Sequence, residues 1–124
     1  MVYKELSEKI IEAAIEVHTE LGGPGLLESI YEEAFFQELQ MKGLKVNKQV
    51  HLPIFYKGNK LDGSLRIDLI IENLVIVECK AVEQFNKLYL AQCLTYLRLT
   101  NKRLGLVINF GSQLLFRGVH RVVN

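Results

Sequence analysis

The sequence predicts an α/β domain in which a mixed β-sheet is flanked by helices, with the element order α-α-β-β-β-α-β-β. Apolar residues in the first third of the chain recur at three- and four-residue spacing, whereas the middle carries alternating and β-branched runs. A third helical pattern lies between two strand patterns, which predicts a right-handed crossover between parallel strands. Short connections elsewhere predict antiparallel pairs. The 124 residues are expected to form a single domain spanning 1–124.

Two helices are predicted at the start of the chain. Residues 7–21 place apolar side chains on one face behind Ser7, which is a favourable N-cap. The run Gly22-Gly23-Pro24-Gly25 ends this helix. A second helix is predicted from Leu27 to Lys42, with Gly43 as its left-handed stop.

Strand patterns follow the helices. An extended segment runs from Leu44 to Tyr56 and ends at the turn Lys57–Lys60. Two β-branched runs come next, Arg66–Ile71 and Leu74–Cys79. They are separated by only two residues, so these segments are predicted to form consecutive hairpins.

The last third of the chain predicts one helix and two strands. Residues 86–100 are apolar nearly all round, which predicts a buried helix. The final strands are predicted at Leu104–Asn109 and Leu114–Arg117.

Composition excludes several classes of protein. With 49% hydrophobic residues, 23% charged residues and only two prolines, the chain is neither disordered nor collagen-like. No apolar run approaches the roughly 18–20 residues of a spanning helix, and the first residues lack a signal-peptide pattern. We therefore expect a cytoplasmic protein with no membrane partner. Cys79 and Cys93 lack a Cys-x-x-Cys pattern, so buried reduced thiols are predicted in place of a disulfide or zinc site.

The net charge of +1 hides an asymmetry. Residues 1–38 contain nine glutamates and two lysines, whereas residues 39–124 contain thirteen lysines and arginines and five acids. The acidic face by itself is typical of a solvated helix surface. The basic remainder could follow a phosphate backbone locally.

The third predicted strand ends in Glu78-Cys79-Lys80. Because side chains alternate along a strand, Glu78 and Lys80 share one face and Cys79 points to the other. Glu78 follows an apolar run, Leu74–Val77, which predicts a central position where an unpaired charge is costly. We therefore expect the Glu78 carboxylate to have a function.

The loop before this strand decides whether Asp68 joins Glu78. A two-residue turn at Glu72-Asn73 would place Asp68 on the wrong side of the sheet, opposite Val77. An odd loop such as Glu72-Asn73-Leu74 with Asn73 in the left-handed conformation, or a bulge, places Asp68 opposite Glu78. We predict the odd loop or bulge.

Two adjacent carboxylates stay ionised only beside a positive group. A divalent cation would satisfy them, and so would a cross-strand salt bridge to Lys80. Spacing alone leaves both interpretations open.

The segment Gly25-Leu26-Leu27-Glu28-Ser29-Ile30-Tyr31 forms a GxxExxY motif. Together with Asp68, Glu78-Cys79-Lys80 and Gln92-Cys93-Leu94-Thr95-Tyr96, it resembles the GxxExxY family of the PD-(D/E)XK nuclease superfamily. The resemblance extends from about residue 18 to residue 111. It implies a restriction-endonuclease-like fold with an α-β-β-β-α-β core, to which the first helix is an addition.

The resemblance implies a metal-dependent nuclease that hydrolyses phosphodiester bonds, with DNA favoured over RNA. Asp68 and Glu78 would bind one or two Mg²⁺ or Mn²⁺ ions, with help from the main-chain carbonyl of Cys79. Lys80 would orient or help deprotonate the attacking water. Glu28 would complete the catalytic set and serve a second ion.

The same resemblance places Gln92, Tyr96 and Tyr31 beside the substrate. Gln92 and Tyr96 are four residues apart and so share a helix face. They could instead be buried polar groups that satisfy loop backbone. Glu28 could simply be a carboxylate stabilised at a helix N-terminus, and Tyr31 could pack against the sheet with its hydroxyl on a polar partner.

Two other functions remain open on sequence grounds. The first is a non-catalytic nucleic-acid-binding or protein-binding module on the same fold, and the second is a hydrolase of small phosphate esters. A homodimer or a partner protein could supply substrate targeting, with Leu114-Leu115-Phe116 as a candidate contact or a core strand. Scattered basic residues could bind phosphates without sequence readout: Lys57, Lys60, Arg98, Lys102, Arg103, Arg117 and Arg121.

Overall fold

Three helices and a five-stranded mixed sheet form the protein. The computed structural model describes residues 1–124. The strands lie in the order β1-β2-β3-β4-β5; β3 and β4 are parallel, and every other neighbouring pair is antiparallel. The predicted α/β class and the parallel pair joined through a helix are confirmed. The elements are α1 (Lys4–Glu20), α2 (Glu28–Met41), β1 (Val46–Tyr56), β2 (Asn59–Ile71), β3 (Val75–Lys80), α3 (Leu88–Thr100), β4 (Leu104–Asn109) and β5 (Val119–Val123).

Helices α1 and α2 cover one face of the sheet. Their buried residues recur at three- and four-residue spacing, so each helix turns one apolar stripe towards the strands. These stripes and the facing strand residues form the main core. Its helical members are Ile10, Ala13, Ala14, Val17, Tyr31, Phe35 and Leu39.

Helix α3 lies on the opposite face, over a smaller cluster of buried residues that includes Ile67 and Leu97. The prediction that this helix is buried all round is wrong. Leu88 and Leu99 are 66% and 54% exposed, because no second helix covers the outer side of α3. No helix combines the length and the apolar character that crossing a bilayer requires.

The last strand lies further along the chain than the sequence predicted. Leu115–Gly118 forms a short 3-10 helix, and β5 follows it and pairs with β4. Leu115 is buried in the main core from this turn. A Cβ atom on Gly118 would lie 2.5 Å from the carbonyl oxygen of Asn109. The absence of a side chain at Gly118 therefore lets the chain pass close to the end of β4, and pairing with β4 begins at Val119.

The start of α1 also differs from the prediction. The helix begins at Lys4, and Ser7 lies inside it, where its hydroxyl donates to the Lys4 carbonyl at 3.0 Å. Arg121 donates to the Ser7 hydroxyl at 3.0 Å. This contact from β5 holds the first turn against the sheet and replaces the predicted cap.

The loop between β2 and β3 has the predicted odd length. Ile71 pairs with Val75, which leaves the three residues Glu72–Leu74 as the connection. Glu72 and Asn73 are both left-handed, with φ of 53° and 57°. The left-handed Asn73 and the three-residue loop are thus confirmed. Lys45 stabilises the turn, because its N–H donates to the Glu72 carboxylate at 2.7 Å.

The alternation of side chains reverses in the middle of β1 and β2. In β2, Leu69 belongs to the main core, yet Ile67, two positions earlier, packs in the cluster under α3. In β1, Gln49 has a φ of 49°, which is unusual for a non-glycine residue in a strand. Asp68 lies at the point of reversal in β2, so its side chain follows neither face of the regular pleat.

Tyr31 organises the loop that leads into α2. It is fully buried, and its ring stacks on Phe110 with the ring centroids 5.0 Å apart. The hydroxyl donates to the Gly23 carbonyl at 2.6 Å and accepts from the Leu26 N–H at 3.1 Å. The packing role considered for Tyr31 is confirmed. The expected substrate contact is corrected, because this side chain has no exposed surface.

We predict that Tyr31→Phe destabilises the fold without disturbing the ring stack. The change removes two hydrogen bonds to loop backbone, which should lower the free energy of unfolding by about 1–2 kcal/mol. Urea denaturation measures the effect. The matched control is Tyr56→Phe, since Tyr56 is 60% exposed. Equal stability of wild type and Tyr31→Phe would contradict the role of the hydroxyl.

Candidate active site

Asp68 and Glu78 lie side by side between β2 and β3. Leu69 pairs with Val77 at the end of the regular ladder, and one residue further along each strand the side chains of Asp68 and Glu78 meet. The two residues are only 3% and 5% exposed. Asp68 Oδ2 accepts a hydrogen bond of 2.8 Å from the N–H of Cys79. The predicted pair of carboxyl groups is therefore formed, and the backbone of β3 holds one of them.

Glu78 is electrostatically unsatisfied. Burial raises the pKa of Glu78 to about 9, and the adjacent Asp68 carboxylate adds to the shift. Glu78 Oε1 is buried and has no hydrogen-bond partner. A buried carboxylate oxygen with no partner is costly, and a cation is the partner that two adjacent acids would accept best. The residues present therefore fit a divalent cation.

Lys80 does not neutralise this pair. Its Nζ lies 4.5 Å from the ring centroid of Tyr89, as a cation–π contact. The ion pairs of the structure are Lys4 with Glu8 and Arg66 with Asp68, the latter at 3.7 Å. The cross-strand salt bridge considered from spacing is thus not formed. Lys80 still lies close enough for its charge to oppose the rise of the Glu78 pKa.

Glu28 stands at the rim of the site, as the first residue of α2. Its side chain remains accessible to solvent. Partial burial raises the pKa of Glu28, while the charge of Lys80 opposes that rise and the charge of Asp68 adds to it. The structure therefore brings Glu28 within electrostatic reach of Asp68 and Lys80.

Glu32 is a fourth carboxylate that sequence reasoning missed. Single ligand atoms of Glu32, Asp68 and Cys79 all lie within 4.8 Å of one another. Burial raises the pKa of Glu32 to about 6, and the charge of Asp68 adds to the shift. The signal was available, because Glu32 lies one turn after Glu28 on the same helix face.

Gln49 and Arg66 connect these acids through the irregular part of the sheet. Gln49 Nε2 donates to Glu32 Oε2 at 2.7 Å, and Arg66 donates to Gln49 Oε1. Arg66 in turn lies near Asp68. No sequence signal identified this network, since it depends on the left-handed backbone of Gln49.

The thiol of Cys79 is not available as a charged ligand. Burial raises the pKa of Cys79 well above its usual range, and the charge of Asp68 adds to the effect. Cys79 and Cys93 are both free and buried, as predicted. The charged donors of the site are therefore carboxylate oxygens, the ligand type of hard cations such as Mg²⁺.

The two polar residues of α3 differ in their surroundings. Tyr96 is half-buried, and its pKa is raised by burial and then by the charge of Glu78. Gln92 lies one turn earlier, is exposed and makes no hydrogen bond within the protein. Tyr96 therefore lies near Glu78, and the exposed Gln92 does not belong to a buried polar pair.

A family comparison agrees with this geometry. The model of the PD-(D/E)XK nuclease superfamily matches residues 4–122, which include all three helices and every carboxylate of the site. No curated protein and no solved structure matches the chain. The match covers far more than half of the sequence, so the chain belongs to the PD-(D/E)XK nuclease superfamily.

Proposed function

We propose that this protein is a metal-dependent nuclease that hydrolyses phosphodiester bonds, with DNA as the favoured substrate and Mg²⁺ or Mn²⁺ as cofactor. The single observation that carries the proposal is the buried pair of Asp68 and Glu78, in which Glu78 Oε1 has no partner. Arg66 pairs with Asp68 at 3.7 Å, but no basic side chain pairs with Glu78, and a buried acid without a partner is expensive to keep. A bound cation would compensate for the cost of burying both acids.

The ligands would be oxygen atoms from neighbouring elements. Asp68 and Glu78 would hold the cation with the main-chain carbonyl of Cys79, and Glu28 would serve a second ion at the rim. Glu32 adds negative charge beside Asp68. The bound cation would supply Lewis-acid stabilisation of the charge that develops on the phosphate.

The remaining residues act on water and substrate. The ammonium of Lys80 would donate a hydrogen bond to the attacking water and favour its deprotonation. The ring of Tyr89 supports that role, because it holds the ammonium without cancelling its charge. Tyr96 and Gln92 would contact the substrate from α3.

Assignment of the chain to one family within the superfamily rests on its sequence motifs. The GxxExxY pattern at residues 25–31 supports membership of the GxxExxY family within the superfamily. We further propose that residues 1–124 act as one catalytic domain in the cytoplasm. A second copy or a partner protein would supply substrate targeting.

Metal binding should stabilise the fold. Mn²⁺ at about 100 times its Kd should add about 2.7 kcal/mol to the free energy of unfolding, because the ion binds only the folded chain. Thermal denaturation with and without metal measures the shift. Asp68→Asn should lose it, whereas Glu33→Gln, an exposed change on the same helix as Glu28, should keep it. An undiminished shift in Asp68→Asn would place the ion elsewhere.

Cleavage should require the acids and the lysine. Glu78→Gln and Lys80→Ala should each slow metal-dependent cleavage of labelled DNA at least about 100-fold, with exposed Lys42→Ala as the control. Gel assays on single-stranded and double-stranded DNA and RNA measure the rates. If metal neither stabilises the protein nor supports cleavage, a non-catalytic binding module is favoured. If small phosphate esters are hydrolysed but DNA and RNA are not, a hydrolase of small phosphate esters is favoured.

Stability without metal should fall as the pH rises. A pKa of about 9 for Glu78, against an ordinary 4.5, means that the folded chain binds more protons than the unfolded chain between these values. This group therefore contributes a stability that declines with pH across that window, by at most about 1.4 kcal/mol per pH unit. Urea denaturation in chelator measures it. Glu78→Gln should flatten the decline, and an unchanged slope would contradict the shift.

A further inference from the structure

Two cavities, together called the trough, lie beside the segments that follow β3 and β4. Their volumes are about 390 and 620 Å³. The nearer cavity begins at Ala81, next to Lys80, and at Leu26, two residues before Glu28. The farther cavity ends at Phe85 and His120. The cavities share Glu83, Gly111 and Gln113 as lining residues, so they adjoin one another.

A row of ring contacts links Lys80 to Phe85 and His120, which line the farther cavity. The Lys80 ammonium lies over the ring of Tyr89. Tyr89 meets Phe85 edge to face, with centroids 5.2 Å apart. Phe85 stacks on His120 with centroids 4.0 Å apart and the planes within 16° of parallel. The row therefore connects the proposed catalytic lysine to the far end of the trough.

The far cavity offers few charges. Arg117 and Glu83 line its wall, beside the polar side chains of Asn109, Ser112 and Gln113. Burial lowers the pKa of His120, which favours the uncharged form of the imidazole that stacks on Phe85. One guanidinium can bind one phosphate, and two stacked rings can bind one base. This chemistry suits a nucleotide better than a duplex backbone, which presents dense phosphates and no free base face.

We propose that the trough holds the nucleotides next to the scissile phosphate as a single strand, with a base against the Phe85–His120 stack and a phosphate on Arg117. The proposal rests on the proposed nuclease function, which defines where the bound strand meets Lys80. A base in a duplex is stacked on both faces, so only an unpaired base can use these rings. The larger cavity lies in the size range of small-ligand sites, which is enough for a nucleotide.

Binding by an inactive full chain tests this inference. In a Glu78→Gln background, fluorescence anisotropy measures affinity for a labelled single-stranded DNA and for a hairpin duplex. Phe85→Leu should weaken single-strand binding about tenfold, the loss expected for one stacked base, and should leave duplex binding unchanged. Phe85→Trp should restore single-strand affinity. Phe55→Leu, which changes an exposed aromatic of β1 outside the trough, is the control.

Arg117→Gln provides a second measurement. Losing one phosphate contact should reduce the slope of log affinity against log salt by about 0.7 for single strands. Three results would overturn the proposal: no binding of single strands, equal losses for single strands and duplex in Phe85→Leu, or no loss in either. A Phe85→Trp variant that folds but binds as weakly as Phe85→Leu would also overturn it.

The outcomes separate this inference from the nuclease proposal. If the wild type cleaves in the presence of metal but Phe85→Leu binds single strands as tightly as the parent, the trough proposal is refuted and the nuclease proposal stands. Absence of all cleavage, together with single-strand binding that depends on Phe85 and Arg117, would refute the nuclease and keep the trough.

Discussion

Burial of two carboxyl groups between neighbouring strands is the constraint on which this structure depends. Asp68 and Glu78 are almost completely removed from solvent, and burial together with the adjacent Asp68 carboxylate raises the pKa of Glu78. One receives a hydrogen bond from the Cys79 backbone, and an oxygen of the other receives none. Such a pair is costly to bury, so its position must be fixed by the pairing of the two strands. The three-residue loop Glu72–Leu74 supplies the placement.

The kink in β1 and β2 serves the same pair. If β2 alternated regularly, Ile67 and Leu69 would lie on one face, but they pack in different clusters. The reversal at Asp68 lets its carboxylate reach the Cys79 backbone, and the left-handed Gln49 beside it reaches Glu32 on α2. Backbone strain of this kind is typical of functional sites. The irregular part of the sheet and the helix that covers it thus meet at the acids.

The structure explains the uneven distribution of charge along the chain. Most glutamates of the first 38 residues lie on exposed helix surface, such as Glu12 and Glu16 of α1, as expected for a solvated face. Glu28 and Glu32 differ, because α2 turns them towards Asp68. On the other side of the sheet, α3 contributes Tyr89 and Tyr96 beside Lys80 and Glu78. The site therefore lies where both helical layers reach the end of β3.

The sequence by itself determined the α/β class, the helix between parallel strands, the odd loop and the pairing of Asp68 with Glu78, because spacing and turn chemistry are local properties. Tertiary structure alone decided the rest. Residues 115–118 form a 3-10 turn whose Leu115 is buried in the main core, and α3 stays half exposed because no second helix covers its outer side. The kink in β1 and β2 brings Glu32, Gln49 and Arg66 together with the acids. No periodicity in the sequence predicts this kink. Tyr31 has no exposed surface because its ring stacks on Phe110 after β4 and its hydroxyl bonds the loop before α2.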